Sequence, residues 1–289
     1  MNRLKISILA LIIISLSAFK SDKPAYRIFT KEGKAVKFEK MIDALQNADI
    51  VFFGELHNNP IGHWLQIEVT KSLYTVKAKN LVLGAEMFET DNQLLIDEYF
   101  SGAIKQANFE KEVKLWNNYK TDYKPLFEFA KDSGLRFVAT NIPRRYAALV
   151  SSKGFEGLDS LSDQAKDFIA SLPISYDGEL SGYKNMLEMM KDSPHVNANI
   201  PKAQAAKDAT MAEFILKNWS HGKIFLHFNG SYHSDDFQGI VWYLLQSNPN
   251  LKIITISSVE QKEVKDLAES NKNKGDFILA IPENMTKTY

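Results

Sequence analysis

Ile50-Val51-Phe52-Phe53-Gly54-Glu55-Leu56-His57-Asn58-Asn59-Pro60 is the stretch whose reading decides the fold. Four consecutive apolar residues leave no polar face, as expected of a strand buried on both sides. Asn59 and Pro60 then read as the cap and first residue of a helix, and Trp64, Leu65, Ile67 and Leu73 recur behind them. The unit is therefore strand, turn, helix, with a carboxylate and an imidazole on the turn. Outward from it, similar apolar runs occur at Leu81 to Leu83, Phe137 to Ala139, Ile224 to Leu226, Ile253 to Ile256 and Phe277 to Ile281. Helical patterns separate most of them; Tyr123, Leu126, Phe127 and Ala130 share one face, with Gly134 as terminator. A small hairpin is expected from Tyr26 to Phe38, turning at Glu32-Gly33, followed by Phe38, Met41, Ile42 and Leu45 at helical spacing. Strands alternating with helices predict an α/β fold with a mainly parallel, doubly wound sheet. Between Tyr146 and Trp219 only helical patterns occur, separated by Pro173, Pro194 and Pro201. This span, about 146–219, is expected to be a helical insertion subdomain, a lid over the carboxyl edge of the sheet where ligands of such folds bind.

Composition narrows the function. The 289 residues carry 35 Lys plus Arg and 35 Asp plus Glu, so no net field favours nucleic acid as a partner. Arg3 and Lys5 precede an apolar run from Ile6 to Leu16, and small residues follow at Ser17 and Ala18. That is the layout of a signal peptide over residues 1–20, too short for a comfortable membrane span. Residues 21–289 then form one large domain, exported to the periplasm or cell surface. With no cysteine, the chain has no disulfide and no lipid-bearing cysteine, so it is not expected to be a lipoprotein.

The expected strand ends carry the chemistry. They deliver Glu55, His57 and, in the next helical turn, His63; Glu86; Arg144 and Arg145 after Asn141-Ile142-Pro143; and His227 with Gly230-Ser231-Tyr232-His233. In a parallel sheet these ends share one edge. Glu55, His57, Glu86 and His233 are thus candidate acid/base groups, and with His63 they are candidate ligands of a divalent transition metal. Plainer roles exist for each. Glu55 could be a cap or a buried ion-pair partner, His63 could face solvent, and His227 suits a satisfied core histidine better than a ligand. Gln204, Asp208, Met211 and Ile215 share a helical stripe, so Asp208 either joins the site or pairs with a cation such as Arg144. The HExxH helix, the phosphate loop and the G-x-S-x-G elbow are absent from the sequence.

The ordered set of the hairpin, Gly54-Glu55-Leu56-His57-Asn58-Asn59-Pro60 with His63, Glu86-Met87-Phe88, Gln204 with Asp208-Ala209-Thr210-Met211-Ala212, and Gly230-Ser231-Tyr232-His233 resembles the ChaN family. These are haem-binding uptake proteins of the Tiki and TraB superfamily. The resemblance covers about Tyr26 to Pro282. It implies an α/β core with a helical subdomain that helps hold haem, often between two subunits, and a link to iron uptake at the bacterial envelope. A homodimer, haem and envelope iron-uptake components are thus the implied partners. Haem needs an apolar slot, an axial ligand and cations for its propionates. The insertion offers Met186, Leu187, Met189 and Met190, with Tyr183 or His195 as axial ligand and Arg144 or Arg145 for a propionate. More distant relatives, the Tiki peptidases and the erythromycin esterases, imply the alternative of a metal-dependent hydrolase using the Glu/His strand-end site. Fold kinship does not choose between the two.

Overall fold

The structure, a computed structural model, describes residues 23–189, 191 and 197–289. The expected signal peptide, Met190 and His195 lie outside the described residues. The first hairpin is β1 (Arg27–Thr30) and β2 (Ala35–Val36), followed by helix α1 (Phe38–Leu45) and β3 (Ile50–Glu55). Then come α2 (Pro60–Lys77), β4 (Leu81–Glu89), α3 (Gln93–Phe100), α4 (Gln106–Glu112), α5 (Lys124–Asp132) and β5 (Arg136–Asn141). Four helices follow: α6 (Arg144–Lys153), α7 (Asp163–Lys166), α8 (Ser181–Met189) and α9 (Ile200–Asn218). The chain closes with β6 (Ile224–Gly230), α10 (Ile240–Ser247), β7 (Ile253–Gln261) and β8 (Phe277–Pro282). No strand lies between β5 and β6 among the described residues, so this connection is the helical insertion that its prolines and apolar spacing predict.

All eight strands form one sheet in the order β2-β1-β8-β7-β3-β6-β4-β5. From β8 to β5 every pairing is parallel, and the hairpin adds an antiparallel edge through β1 and β8. β3 is buried along its whole length, and its residues alternate between two cores, as a sheet covered on both faces requires. Val51 and Phe53 pack with Leu65 and Val69 of α2 and Phe127 of α5. Ile50 and Phe52 pack with Val150 of α6, Met211 of α9 and Leu244 of α10. Trp64, part of the apolar pattern in the sequence, is half exposed and meets Tyr26 edge-on instead.

Strand order positions the site. β6 sits between β3 and β4, with Glu55 level with Gly230 and Ala85 level with Phe228. Glu55 and Gly230 therefore end two adjacent strands on one edge, with Glu86 in the last part of the third, β4, at the place where chain direction across the sheet reverses. A register shift between Ala85 and Glu89 marks a bulge beside Glu86, the device by which an edge re-aims a side chain. Gly54 is required here: a Cβ on it would lie 2.9 Å from Ser231 Cα, so the two functional turns are pressed together.

Candidate functional site

The site is built from two carboxylate–imidazole pairs. Glu55, 2% exposed, accepts hydrogen bonds from His57 Nδ1 at 2.9 Å, from the Tyr123 hydroxyl at 2.7 Å and from the Gln66 amide. Asn59 caps α2 by accepting from the Ile61 and Gly62 amides, which fixes the turn carrying His57. Because Nδ1 is committed to Glu55, the ring turns Nε2 toward Gly230, where an added Cβ would lie 2.7 Å from it. Among the described residues Nε2 has no hydrogen-bond partner. Trp116 meets the ring edge-on at 5.0 Å. Burial opposes charging of His57, but the Glu55 hydrogen bond and the charges of Glu86 and Glu55 outweigh it, and its pKa is raised.

The second pair is more deeply buried. His233 Nε2 lies 3.2 Å from Glu86 Oε1, and its Nδ1 is bonded to Asp208. Glu86 Oε2 accepts from the Gly230 amide at 2.7 Å, and Tyr183 donates its hydroxyl to Asp208 Oδ2 at 2.7 Å. Burial would lower the His233 pKa, yet Glu86 and Asp208 prevail and push it up to about 10. Burial likewise opposes ionisation of Glu86, but the facing imidazolium holds it well below the usual carboxylate range. This is a buried ion triad in which one imidazolium bridges two carboxylates.

Of the residues singled out in the sequence, His57, Glu86 and Arg144 line one cavity of about 560 Å³, within the usual range for ligand sites. Ala147, Ala148 and Ser151 of α6 face Ala203, Gln204 and Lys207 of α9 across it, and the small side chains leave a slot between the helices. Met87, Ile142, Met186 and Ile200 give it apolar walls. His63 is buried behind the site, with its ring nitrogens near the His57 carbonyl and the Gln66 side-chain oxygen; it faces neither solvent nor the cavity. Tyr183 lies in a neighbouring cavity of about 270 Å³, with burial and Asp208 pushing its phenol pKa far up. Arg145 is paired with Asp91 at 2.6 Å. His227 is the satisfied core histidine expected, bonded to Thr140 and Asn229. Asp208 takes the first of its two alternatives and joins the site.

No group of three or more His, Asp or Glu side chains is disposed to hold a metal among the described residues. The physical reason is that each carboxylate is consumed by an imidazole or amide partner, so the expected ligands point at one another and not at a common centre. Trp116, Tyr123, Gln66 and Lys207 were not anticipated in these roles. Trp116 stands in irregular backbone without periodicity, and Tyr123 reads from sequence as core.

The family described as haem-binding uptake, Tiki superfamily, ChaN matches residues 41–244. The structure titled "Cofacial heme binding to ChaN of Campylobacter jejuni" superposes with a TM-score of 0.67 at 19% identity, covering 88% of this chain and 96% of that one. A structure described as a succinoglycan biosynthesis protein has a TM-score of 0.50 at 12% identity, covering 84% of this chain and 90% of that chain. A curated relative in Arabidopsis thaliana, Protein RETICULATA-RELATED 5, chloroplastic, is 24% identical over 200 residues, 64% of this chain. The chain spans only 26% of that relative's length. With the family match running from α1 through α10 and the two turns lying inside it, the chain belongs to the ChaN haem-binding uptake family of the Tiki superfamily.

Proposed function

We propose that the chain is an exported haem-binding protein serving haem and iron uptake, and that haem sits in the cleft over His57. The observation that carries this reading is the His57 imidazole, tied at Nδ1 to buried Glu55 and free at Nε2 on the wall of the cavity. A carboxylate behind a histidine fixes its tautomer and raises its basicity as a ligand. The slot fits a flat macrocycle. Ala147, Ala148 and Ala203 keep its helical walls low, Met186 and Ile142 are apolar, and Arg144 and Lys207 supply cations for propionates. When bound, haem supplies an iron centre; the chain supplies the ligand, its orientation and the exclusion of water. Tyr183 gives up the axial role because its hydroxyl stays protonated on Asp208.

Three further points belong to the same reading. Arg3, Lys5 and the apolar run Ile6 to Leu16 support export. The cofacial haem of the Campylobacter protein supports a homodimer, with exposed Leu187 and Met189 next to cavity-lining Met186. The family's place in uptake supports envelope iron-uptake components as partners. Titration of the purified protein with haemin tests the core claim. The expected result is a shifted Soret band that saturates, more than about tenfold weaker binding for His57→Ala, and an unchanged spectrum for Tyr183→Phe. Absence of a Soret shift, or full binding by His57→Ala, overturns it.

A further inference from the structure

A basic pocket stands at the far end of the same sheet edge, outside the cleft. β7 and β8 end there at Gln261 and Pro282, and antiparallel β1 begins there at Arg27. Between them is a cavity of about 510 Å³, bordered by Lys23, Arg27, Lys262 and Lys265 against the single carboxylate of Glu263. None of these four cations is in an ion pair among the described residues. In a chain whose charges balance, that is a concentrated local excess.

The loop that carries two of the lysines is held in place. Buried Gln261 donates to the carbonyls of Glu263 and Asp266 at 2.6 and 2.7 Å. Its side-chain oxygen accepts from the Ala268 amide and from Asn271. Arg27 Nη1 donates to the Lys265 carbonyl at 2.9 Å, the one hydrogen bond of its guanidinium among the described residues, so most of its donors remain. Val264 and Leu267 anchor the loop in a small core with Phe29 and Ile278. The backbone that carries Lys262 and Lys265, and the Arg27 guanidinium beside it, are thus ordered before any ligand arrives, which lowers the entropic cost of binding an anion.

We propose that this pocket binds a phosphate-bearing anion. The guanidinium fork matches phosphate oxygens, and the ammonium groups add point charges beyond what one carboxylate would balance. The cavity exceeds a bare phosphate, so the phosphate carries a substituent, either a soluble phosphorylated compound or a phospholipid head group.

The test uses the full chain at low ionic strength, where exposed charges are least screened. Calorimetric titration with inorganic pyrophosphate probes the free anion; pelleting with phosphatidylglycerol vesicles, against phosphatidylcholine vesicles, probes the head group. Wild type is expected to bind pyrophosphate, the anionic vesicles or both. The double variant Lys262→Glu/Lys265→Glu and the single variant Arg27→Gln should each weaken that binding at least about tenfold, with haemin titration unchanged. Pelleting assigns the lipid source; pyrophosphate binding without pelleting assigns a soluble one. No binding of either probe by wild type, or undiminished binding by both variants, overturns the proposal.

Discussion

Gly230 shows how one residue can govern the site. Its Cα lies so close to the His57 ring that a methyl group would meet Nε2 and Cε1 at 2.7 Å. The obstacle is a side-chain end, so the ring swings away at a cost of about 1 kcal/mol of stability. Gly230→Ala is therefore expected to fold, with a small fall in midpoint in urea, and to lose the haemin Soret shift. A variant that unfolds, or that keeps the wild-type spectrum, would contradict this account. His233 behaves in the opposite way. His233→Gln leaves Glu86 and Asp208 as facing buried carboxylates without their cation, a loss of about 3–5 kcal/mol measurable by chemical denaturation. Glu55, His57, Glu86 and His233 were legible in the sequence because each ends or follows an apolar run, and strand ends in a parallel sheet share an edge. Which of them pair was not legible. The Glu55–His57 pair is local to one turn, but His233 reaches Glu86 only because β6 lies beside β4, and strand order is not written in the sequence.

At the scale of elements, the buried strands announced themselves because a run with no polar face has no other place to go. The apolar run Leu81 to Leu83 marks only the first part of β4, since Gly84-Ala85-Glu86 interrupts the pattern while the strand continues through a register shift to Glu89. The segment from Val113 to Asn118 gave no signal, because irregular backbone has no period to detect, yet it supplies Trp116; Tyr123 shares the helical pattern of α5 but ends a π-helical turn, Tyr119–Tyr123, from which its hydroxyl reaches Glu55. The α2 start was legible down to its cap. Asn59 accepts from two helix amides and also donates to Glu260 Oε1 at 3.0 Å, tying the helix to β7. Asn59→Ala should cost about 1–2 kcal/mol, read as a lower urea midpoint with unchanged slope. Asn59→Asp keeps the caps but sets a carboxylate against Glu260, so it should recover only part of the loss.

For the whole molecule, equal numbers of acidic and basic residues hide a strong pH dependence, because the groups that matter are buried. His227, pushed by burial down to about 4, is neutral in the fold, so stability falls as the pH drops from 6.5 toward 4 and the unfolded chain takes the proton. Asp235, pushed by burial up to about 7, works against this: its stabilisation is full below the ordinary aspartate value near 4 and is lost as pH rises toward 7. The two overlap and largely offset each other in the acid range. Above pH 7 the balance ends. His233 has its pKa raised from 6.5 to about 10, so its contribution is complete below 6.5 and drains away as pH climbs to 10; His57, also raised, has the same sign. The tyrosines with raised pKa values act only beyond that window. The melting temperature is therefore expected to decline steadily from pH 7 to pH 9.5. His233→Gln should start lower at every pH and show a flatter alkaline limb, because the titrating group is gone. Calorimetric melting of both proteins across that range decides the matter: parallel limbs would mean that the triad does not carry the pH dependence.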